Sequence, residues 1–301
     1  MSASPSKDPW GEFWQRNSGG GTTGESGSQR WDAIERAQQT AWRGFIAGVS
    51  QNAAILDLAT GDGRVLRWMK ALRPDLHLTG IDLAPQLPPA PPGTETLGGI
   101  SMDDLPFPDG RFHAVVSQFG FEYGDIKKTS AEIARVLAPG GTVALLMHRG
   151  DGTILEHNRA RRTALLWALR EKGVARKAKA ALQAGPDGID KAARLATKVA
   201  EQGAKRFGEQ SPAWEAPEAI RRSCIMGRRA GIESITETIA MIEGHARNEL
   251  GRIQSLTNAC ATADKREAIH TAFTAHGLVE QDTQAICEPS GRAFADFVVL
   301  G

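Results

Sequence analysis

The chain has 301 residues, of which 41% are apolar and 24% charged, a balance that excludes a disordered chain and fits one or two globular domains. No apolar run reaches the ~18 residues of a membrane span, and the opening MSASPSKDPWGEFW lacks the apolar core of a signal peptide. The net charge of +1 seems to exclude a polyanion partner, but it is a cancellation. Residues 1–158 balance at −4, residues 159–206 carry thirteen Lys/Arg against four Asp/Glu (+9), and residues 207–301 return to −4. Three widely spaced cysteines, Cys224, Cys260 and Cys287, form no CxxC. No disulfide framework or metal site is therefore expected, and a reducing cytoplasm is the expected location.

In chain order, residues 1–50 read as an N-terminal helical segment. Trp10, Phe13 and Trp14 stand at helical spacing, the glycine-rich Asn17–Ser28 has no periodicity, and Trp31, Ile34, Ala37, Ala41, Trp42 and Phe45 predict a helix over Arg30–Val49. From 51 to 150 short apolar runs alternate with helical patterns, the signature of βαβ units and a parallel sheet. The strands are expected at 54–59, 76–82, 94–100, 113–119 and 142–148. Helices are expected at Gly63–Leu72 and Asp125–Leu137, the second stopped by Pro139-Gly140-Gly141. The link LAPQLPPAPPG (83–93) holds five prolines, so an extended loop stands where a crossover helix would normally lie.

Residues 151–262 read as a helical insertion. Periodicity marks Arg159–Ala181 and Ile189–Ala204, and a long stripe runs from Ile232 through Ile235, Ile239, Ile242, Ala246, Leu250, Ile253 and Leu256 to Cys260. The stripe suits packing within the subunit, and also a homodimer seam. Residues 263–301 complete the chain with a helix at 265–275 and two strands at 278–287 and 294–300.

The informative run is ILDLATGDGRVL, Ile55 to Leu66. A strand ending at Asp57 turns through Ala59, Gly61 and Gly63 into a helix, and small residues there let a ligand approach the backbone and the unpaired amides of the helix start. The acid before the turn would repel a pyrophosphate but suits an ammonium group. The second strand ends in Asp82, from which a carboxylate can accept from both hydroxyls of a ribose. A cationic amino acid at one end and a ribose at the other describe S-adenosylmethionine.

These residues, together with LTGIDLAP, SMDDLPFPDGRFHAVVSQFGFEY and IARVLAPGGTVALLMH, resemble the class I S-adenosylmethionine-dependent methyltransferases, near the subgroup of ubiquinone/menaquinone-biosynthesis C-methyltransferases. The resemblance covers roughly residues 53–148. It implies an α/β, Rossmann-like fold: seven mostly parallel strands with a reversed last strand, and the helical insertion between strands five and six. It places Asp57, Ala59, Gly61 and Gly63 under the methionine part of the cofactor, Asp82 on the ribose, Leu83 beside the adenine, and Gln118 and Phe119 along the methionine arm. The family has an Asp four residues before the Leu of its LPF motif, to bind the adenine amino group. Ser101 stands there in this chain, followed by Met102. Either Ser101 substitutes, or a one-residue shift lets Asp103 serve.

On the acceptor side, Glu122 and Tyr123 follow strand four and His148 follows strand five, at the edge where doubly wound sheets bind ligands. His148 is the best general base by residue type, Glu122 can orient, and Tyr123, the sole tyrosine, can stack on a planar acceptor. His148 fits equally a bond to the backbone. The N-terminal tryptophans and glycine loop fit a lid. The expected function is an enzyme methylating a small planar or apolar acceptor at oxygen or carbon. The alternatives are an RNA methyltransferase that uses the basic insertion, or a cofactor-binding assembly protein without catalysis. RNA is not favoured, since the basic segment holds a single aromatic, Trp167, for stacking.

Overall fold

The computed structural model describes Trp10 and residues 29–301; Phe13, Trp14 and the Asn17–Ser28 loop lie outside the described residues. Seven strands form one sheet: β1 (Ala54–Leu58), β2 (His77–Asp82), β3 (Glu95–Gly98), β4 (Phe112–Gln118), β5 (Leu137–His148), β6 (Glu280–Cys287) and β7 (Ala293–Leu300). Their order is β3-β2-β1-β4-β5-β7-β6. The first five strands are mutually parallel, and β7 runs antiparallel to both β5 and β6. The strand order reverses between β1 and β4, so a crevice opens beyond their carboxyl ends.

The central strands, unlike the largely uncovered edge strands β3 and β6, are buried on both faces, which is why β1 reads as an unbroken apolar run apart from Asp57. Period two sorts its residues. Leu56 and Leu58 join Val115, Leu145 and Phe273 on one face, while Ile55 joins Val116, Leu146 and Trp42 on the other. The first face is covered by helix α3 (Ile126–Val136) and the late helix Arg266–Thr274; the second by α1 (Gln29–Ala47) and α2 (Arg64–Leu72). Asp125 caps α3 by accepting from the amides of Lys127 and Lys128. The helix ends at Val136, and Gly140 takes a φ of 73° in the first part of β5, where the pairing with β4 shifts register. No helix lies between β2 and β3, as the prolines require. Pro91 is buried, and it would be 2.8 Å from a Cβ on Gly63, so the proline link packs directly on the glycine turn.

The chain divides into two compact units, Glu156–Gln254 on one hand and Trp10–Leu155 with Ser255–Gly301 on the other. The second contains the sheet. The first is all helix, formed by most of α4 (Thr153–Leu166), a wide turn at Trp167–Glu171, α5 (Val174–Leu182), α6 (Pro186–Phe207), α7 (Pro212–Met226) and most of α8 (Ile232–Ala263); α9 (Arg266–Thr274) follows in the sheet unit. The helix expected over Arg159–Ala181 is broken. Lys172 N bonds Trp167 O across the wide turn, and Gly173 takes a left-handed φ of 61° before α5 begins. Helix α7 starts at Pro212, in the first helical turn, where a missing N–H costs nothing, and carries Pro217 within it.

The helical unit has its own core, in which Ala178, Ala192, Ala196 and Ala213 meet Ile189, Ile220, Ile235 and Ile239. Small residues let these helices approach closely: a Cβ on Gly203 would lie 2.1 Å from Ala213 O. The α8 stripe is largely consumed inside the chain. Ile235 and Ile239 enter that core, Ala246 and Ile253 pack with Leu165, and Leu256 and Cys260 pack with Leu155. No helix among the described residues is long and apolar enough to cross a membrane.

Candidate functional site

At the end of β1 the backbone turns through Ala59, Gly61 and Gly63, all left-handed, with φ of 55°, 55° and 66°. Glycine takes this conformation without strain, whereas Ala59 holds it at a cost of roughly 1–2 kcal/mol. The turn is pinned from β2. Thr60 N donates to Ile81 O at 2.8 Å, and Gly61 N donates to Asp82 Oδ2 at 2.9 Å. The other Asp82 oxygen accepts from Ala84 N at 2.9 Å. An ionised carboxylate has about four lone-pair sites, so these two bonds do not exhaust what Asp82 can accept. Leu83, next in the chain, is 70% exposed and offers an apolar surface beside that acid.

Asp57 lies deeper. It is buried, and Thr60 Oγ1 donates to its Oδ2 at 2.7 Å. Burial pushes its carboxyl up to about 7; the Thr60 bond opposes this, and the nearby Asp82 and Asp62 add to it. Gly80 makes room for Thr60, since a Cβ there would sit 2.5 Å from the Thr60 hydroxyl.

At the end of β4, Ser117 Oγ donates to Leu58 O at 3.0 Å and accepts from Phe121 N at 3.0 Å, tying the two strand ends together. Gln118 Oε1 accepts from Trp42 Nε1 at 2.7 Å, and its amide nitrogen donates to Gln38 at 3.2 Å, so α1 fixes this side chain. Phe119 is left-handed, with φ 55°, and a Cβ on Gly120 would fall 2.6 Å from that of Ala59. A short turn, Phe121–Tyr123, follows.

That turn delivers Glu122 to His148. Glu122 Oε1 accepts from His148 N at 2.9 Å and meets His148 Nδ1 at 2.8 Å, with both side chains buried. An ionised Glu122 places the ring proton on Nδ1 and leaves Nε2 as an acceptor. Nε2 makes no hydrogen bond among the described residues, and the buried Glu122 Oε2 has none either. The imidazole stacks on Phe119 (4.1 Å between centroids, 29°), Tyr123 stands edge-on to it at 6.2 Å, and Trp10 stands edge-on to Tyr123 at 5.8 Å. Burial, with Glu122 and Cys260 nearby, holds the Tyr123 phenol well above its usual range, so it is neutral.

After β3, Asp103 is partly engaged elsewhere. Its carboxylate accepts from Thr129 Oγ1 and, at 3.2 Å, from Asp125 N, steadying the start of α3. Ser101 Oγ accepts from Asp103 N at 3.2 Å, and Met102 packs against the core. The residues that sequence reasoning missed are those that hold the site: Thr60 on Asp57, Ser117 between the strands, and Gln38 and Trp42 on Gln118. Trp42 lay in view at helical spacing, but nothing in the spacing joined it to β4.

A family model described as a methyltransferase domain matches residues 56–145, the stretch that runs from β1 into β5 in the order just described. Residues 56–145 form a class I methyltransferase domain. S-adenosylmethionine is the cofactor of this class of domain. The chain is 38% identical over 100 residues to a demethylmenaquinone methyltransferase of Thermus thermophilus, covering 31% of this chain and 46% of that protein. It is 32% identical over 134 residues to the ubiquinone/menaquinone biosynthesis C-methyltransferase UbiE of Desulfotalea psychrophila, covering 39% and 53%. The chain thus spans roughly half the length of these relatives. Among solved structures, an S-adenosylmethionine-dependent methyltransferase of Mesorhizobium loti aligns at a TM-score of 0.34 and 21% identity, covering 38% of this chain and 55% of that one.

Proposed function

We propose that the chain is an enzyme that transfers a methyl group from S-adenosylmethionine to a small planar acceptor. The observation that carries this reading is the pair of acids at the ends of adjacent parallel strands, Asp57 and Asp82, locked around one small-residue turn. The residues fit a cationic nucleoside. A cation beside Asp57 would offset the burial and, secondarily, the repulsion from Asp82 and Asp62 that keep it partly protonated. Asp57, Ala59, Gly61 and Gly63 would hold the amino-acid part, Asp82 the ribose hydroxyls, Leu83, Ser101 and Met102 the adenine, and Gln118 and Phe119 the arm between. Asp103, whose Oδ2 accepts only a 3.4 Å bond from Asp125 N, stands beside Ser101 as the alternative for the adenine. When bound, the cofactor supplies an electrophilic methyl group on a sulfonium.

The chain's own contribution is positioning and a proton acceptor. Methyl transfer is an in-line displacement that gains chiefly from holding the acceptor in line. Phe119, Tyr123 and the His148 ring form aromatic walls for a flat acceptor. His148 Nε2 takes the proton from a hydroxyl or an acidic ring carbon, and Glu122 stabilises the resulting imidazolium through Nδ1. The matched relatives are named for quinone precursors, which favours a quinol-type ring methylated at carbon; an oxygen acceptor would use the same base.

RNA is a poorer acceptor for this chain, since Trp167, the aromatic of the basic segment, is buried at 4% exposure and offers no stacking platform. A non-catalytic binding protein leaves the open Nε2 and the partnerless buried Glu122 Oε2 without a role. The test has two steps. Calorimetry with S-adenosylmethionine should show binding that Asp82→Ala abolishes. Labelled cofactor incubated with a cell extract should then place label in the small-molecule fraction. No binding by the wild type refutes the reading, and label confined to RNA or protein refutes the acceptor class.

A further inference from the structure

Ion pairing in the helical unit is uneven. Arg161 pairs with Glu249, Lys179 with Glu243, Arg206 with Glu171, and Arg221 and Arg222 share Glu218. By contrast, Arg176 and Lys177 on α5 and Lys191, Arg194, Lys198 and Lys205 on α6 are exposed, and none of them bonds a carboxylate among the described residues. Lys191, Arg194, Lys198 and Lys205 recur at the three-, four- and seven-residue steps that place them along one face of α6. The exposed acids of α6 are fewer, Asp187 and Glu201, and Asp190 is engaged by Arg228.

That last pair fixes what lies beside the row. Arg228 follows the C-terminus of α7, where Ile225 is 51% and Met226 81% exposed. Its bond to Asp190 sets this apolar tip next to Lys191 and Arg194 at the start of α6. Two large apolar side chains at a helix end, bracketed in sequence by Arg221-Arg222 and Arg228-Arg229 and adjoined by unpaired cations, combine two features. The cations attract a surface of phosphates, and the tip gains by leaving water below it.

We propose that the α5–α7 face of the helical unit docks on an anionic phospholipid surface, the α6 cations on the headgroups and Ile225–Met226 inserted among the upper acyl carbons. Charge alone would serve a nucleic acid equally. The exposed apolar tip, with no exposed aromatic ring on this face to stack on a base, favours the bilayer. Docking here requires neither cofactor nor methyl transfer, so it stands or falls apart from the reading of the sheet unit.

The full chain is sedimented with vesicles of phosphatidylcholine alone and of phosphatidylcholine with one third phosphatidylglycerol, at low and high salt. Binding to the anionic vesicles alone, falling as salt rises, is expected. Each surface cation contributes roughly fivefold, so K191E/R194E/K198E should lower affinity by at least ~100-fold. I225S/M226S should lower it severalfold without changing the salt dependence, while Met226→Leu binds as the wild type does. Circular dichroism confirms that each variant is folded. Absence of binding, equal binding to neutral vesicles, or charge-reversed protein that binds like the wild type overturns the proposal. Retention on RNA without vesicle binding overturns it in favour of a nucleic acid, and self-association without vesicle binding in favour of a second copy of this chain.

Discussion

Asp57 is a charged group kept where the native fold would be more stable without the charge. Its carboxyl moves from an ordinary 3.8 to about 7 on burial, and that difference corresponds to about 4 kcal/mol. The native state therefore binds more protons than the unfolded state between these values. Stability falls as pH rises through this window, and the full cost is present above about pH 7. Asp57→Asn removes it. The Asn oxygen can still accept from Thr60 Oγ1, which now reaches Asp57 at 2.7 Å, while the new amide hydrogens need an acceptor at a cost of about 1–2 kcal/mol. The variant should be more stable than the wild type by about 2–3 kcal/mol at about pH 8 and less stable by about 1–2 kcal/mol at about pH 4. In thermal melts this is a gain of about 5–10 °C at the higher pH that reverses at the lower. The same variant should lose roughly 30- to 1000-fold in S-adenosylmethionine affinity by calorimetry, the range for removing one member of a buried charge pair. In the wild type, affinity should tighten as pH rises towards about 7 and then level. A melting shift of equal size and sign at both pH values would refute the account of Asp57 as a buried acid held for a cation.

Three further expectations concern the neighbouring contacts. His148→Gln should lower kcat by about 10²–10⁴ while calorimetric cofactor affinity stays near that of the wild type; an unchanged kcat would dismiss His148 as the base. Gly120→Ala should destabilise by about 1–3 kcal/mol in urea titration, because its Cβ would meet Ala59 Cβ at 2.6 Å. Adding Ala59→Gly should recover part of that loss with a coupling above about 0.5 kcal/mol, and strict additivity would contradict the packing. Trp42→Phe should cost about 1–3 kcal/mol by leaving Gln118 short of a donor, and an unchanged urea midpoint would contradict the bond.

The strands of the parallel sheet were legible because sheets covered on both faces demand apolar runs, and those runs stand between clear turn signals. The turn after β1 was legible for a related reason: Asp57, Gly61, Gly63 and Asp82 must follow one another at spacings set by the turn itself. Local rules served less well where structure depends on contacts distant in sequence. Gly173 breaks a helix whose apolar spacing continues past it. The partnership of Glu122 with His148 joins residues 26 apart across two strand ends, so each could be named as a candidate by residue type while their bond could not. Asp103 shows the converse. Its position in sequence suits the adenine, but Thr129 and the Asp125 amide compete for its oxygens.

The bond from Trp42 to Gln118 redraws where the working unit begins. Trp42 is fully buried, packs edge-on against Phe297 of β7 at 5.0 Å, and reaches the end of β4 across 76 residues of chain. A fragment cut to residues 56–145 would lose α1 together with β6 and β7, exposing Ala114, Val116 and Ala144 on one face and stripping Gln118 of its donor. The stretch that is recognisable by ancestry is therefore shorter than the stretch that can fold, and expression boundaries should enclose α1 and run through Leu300.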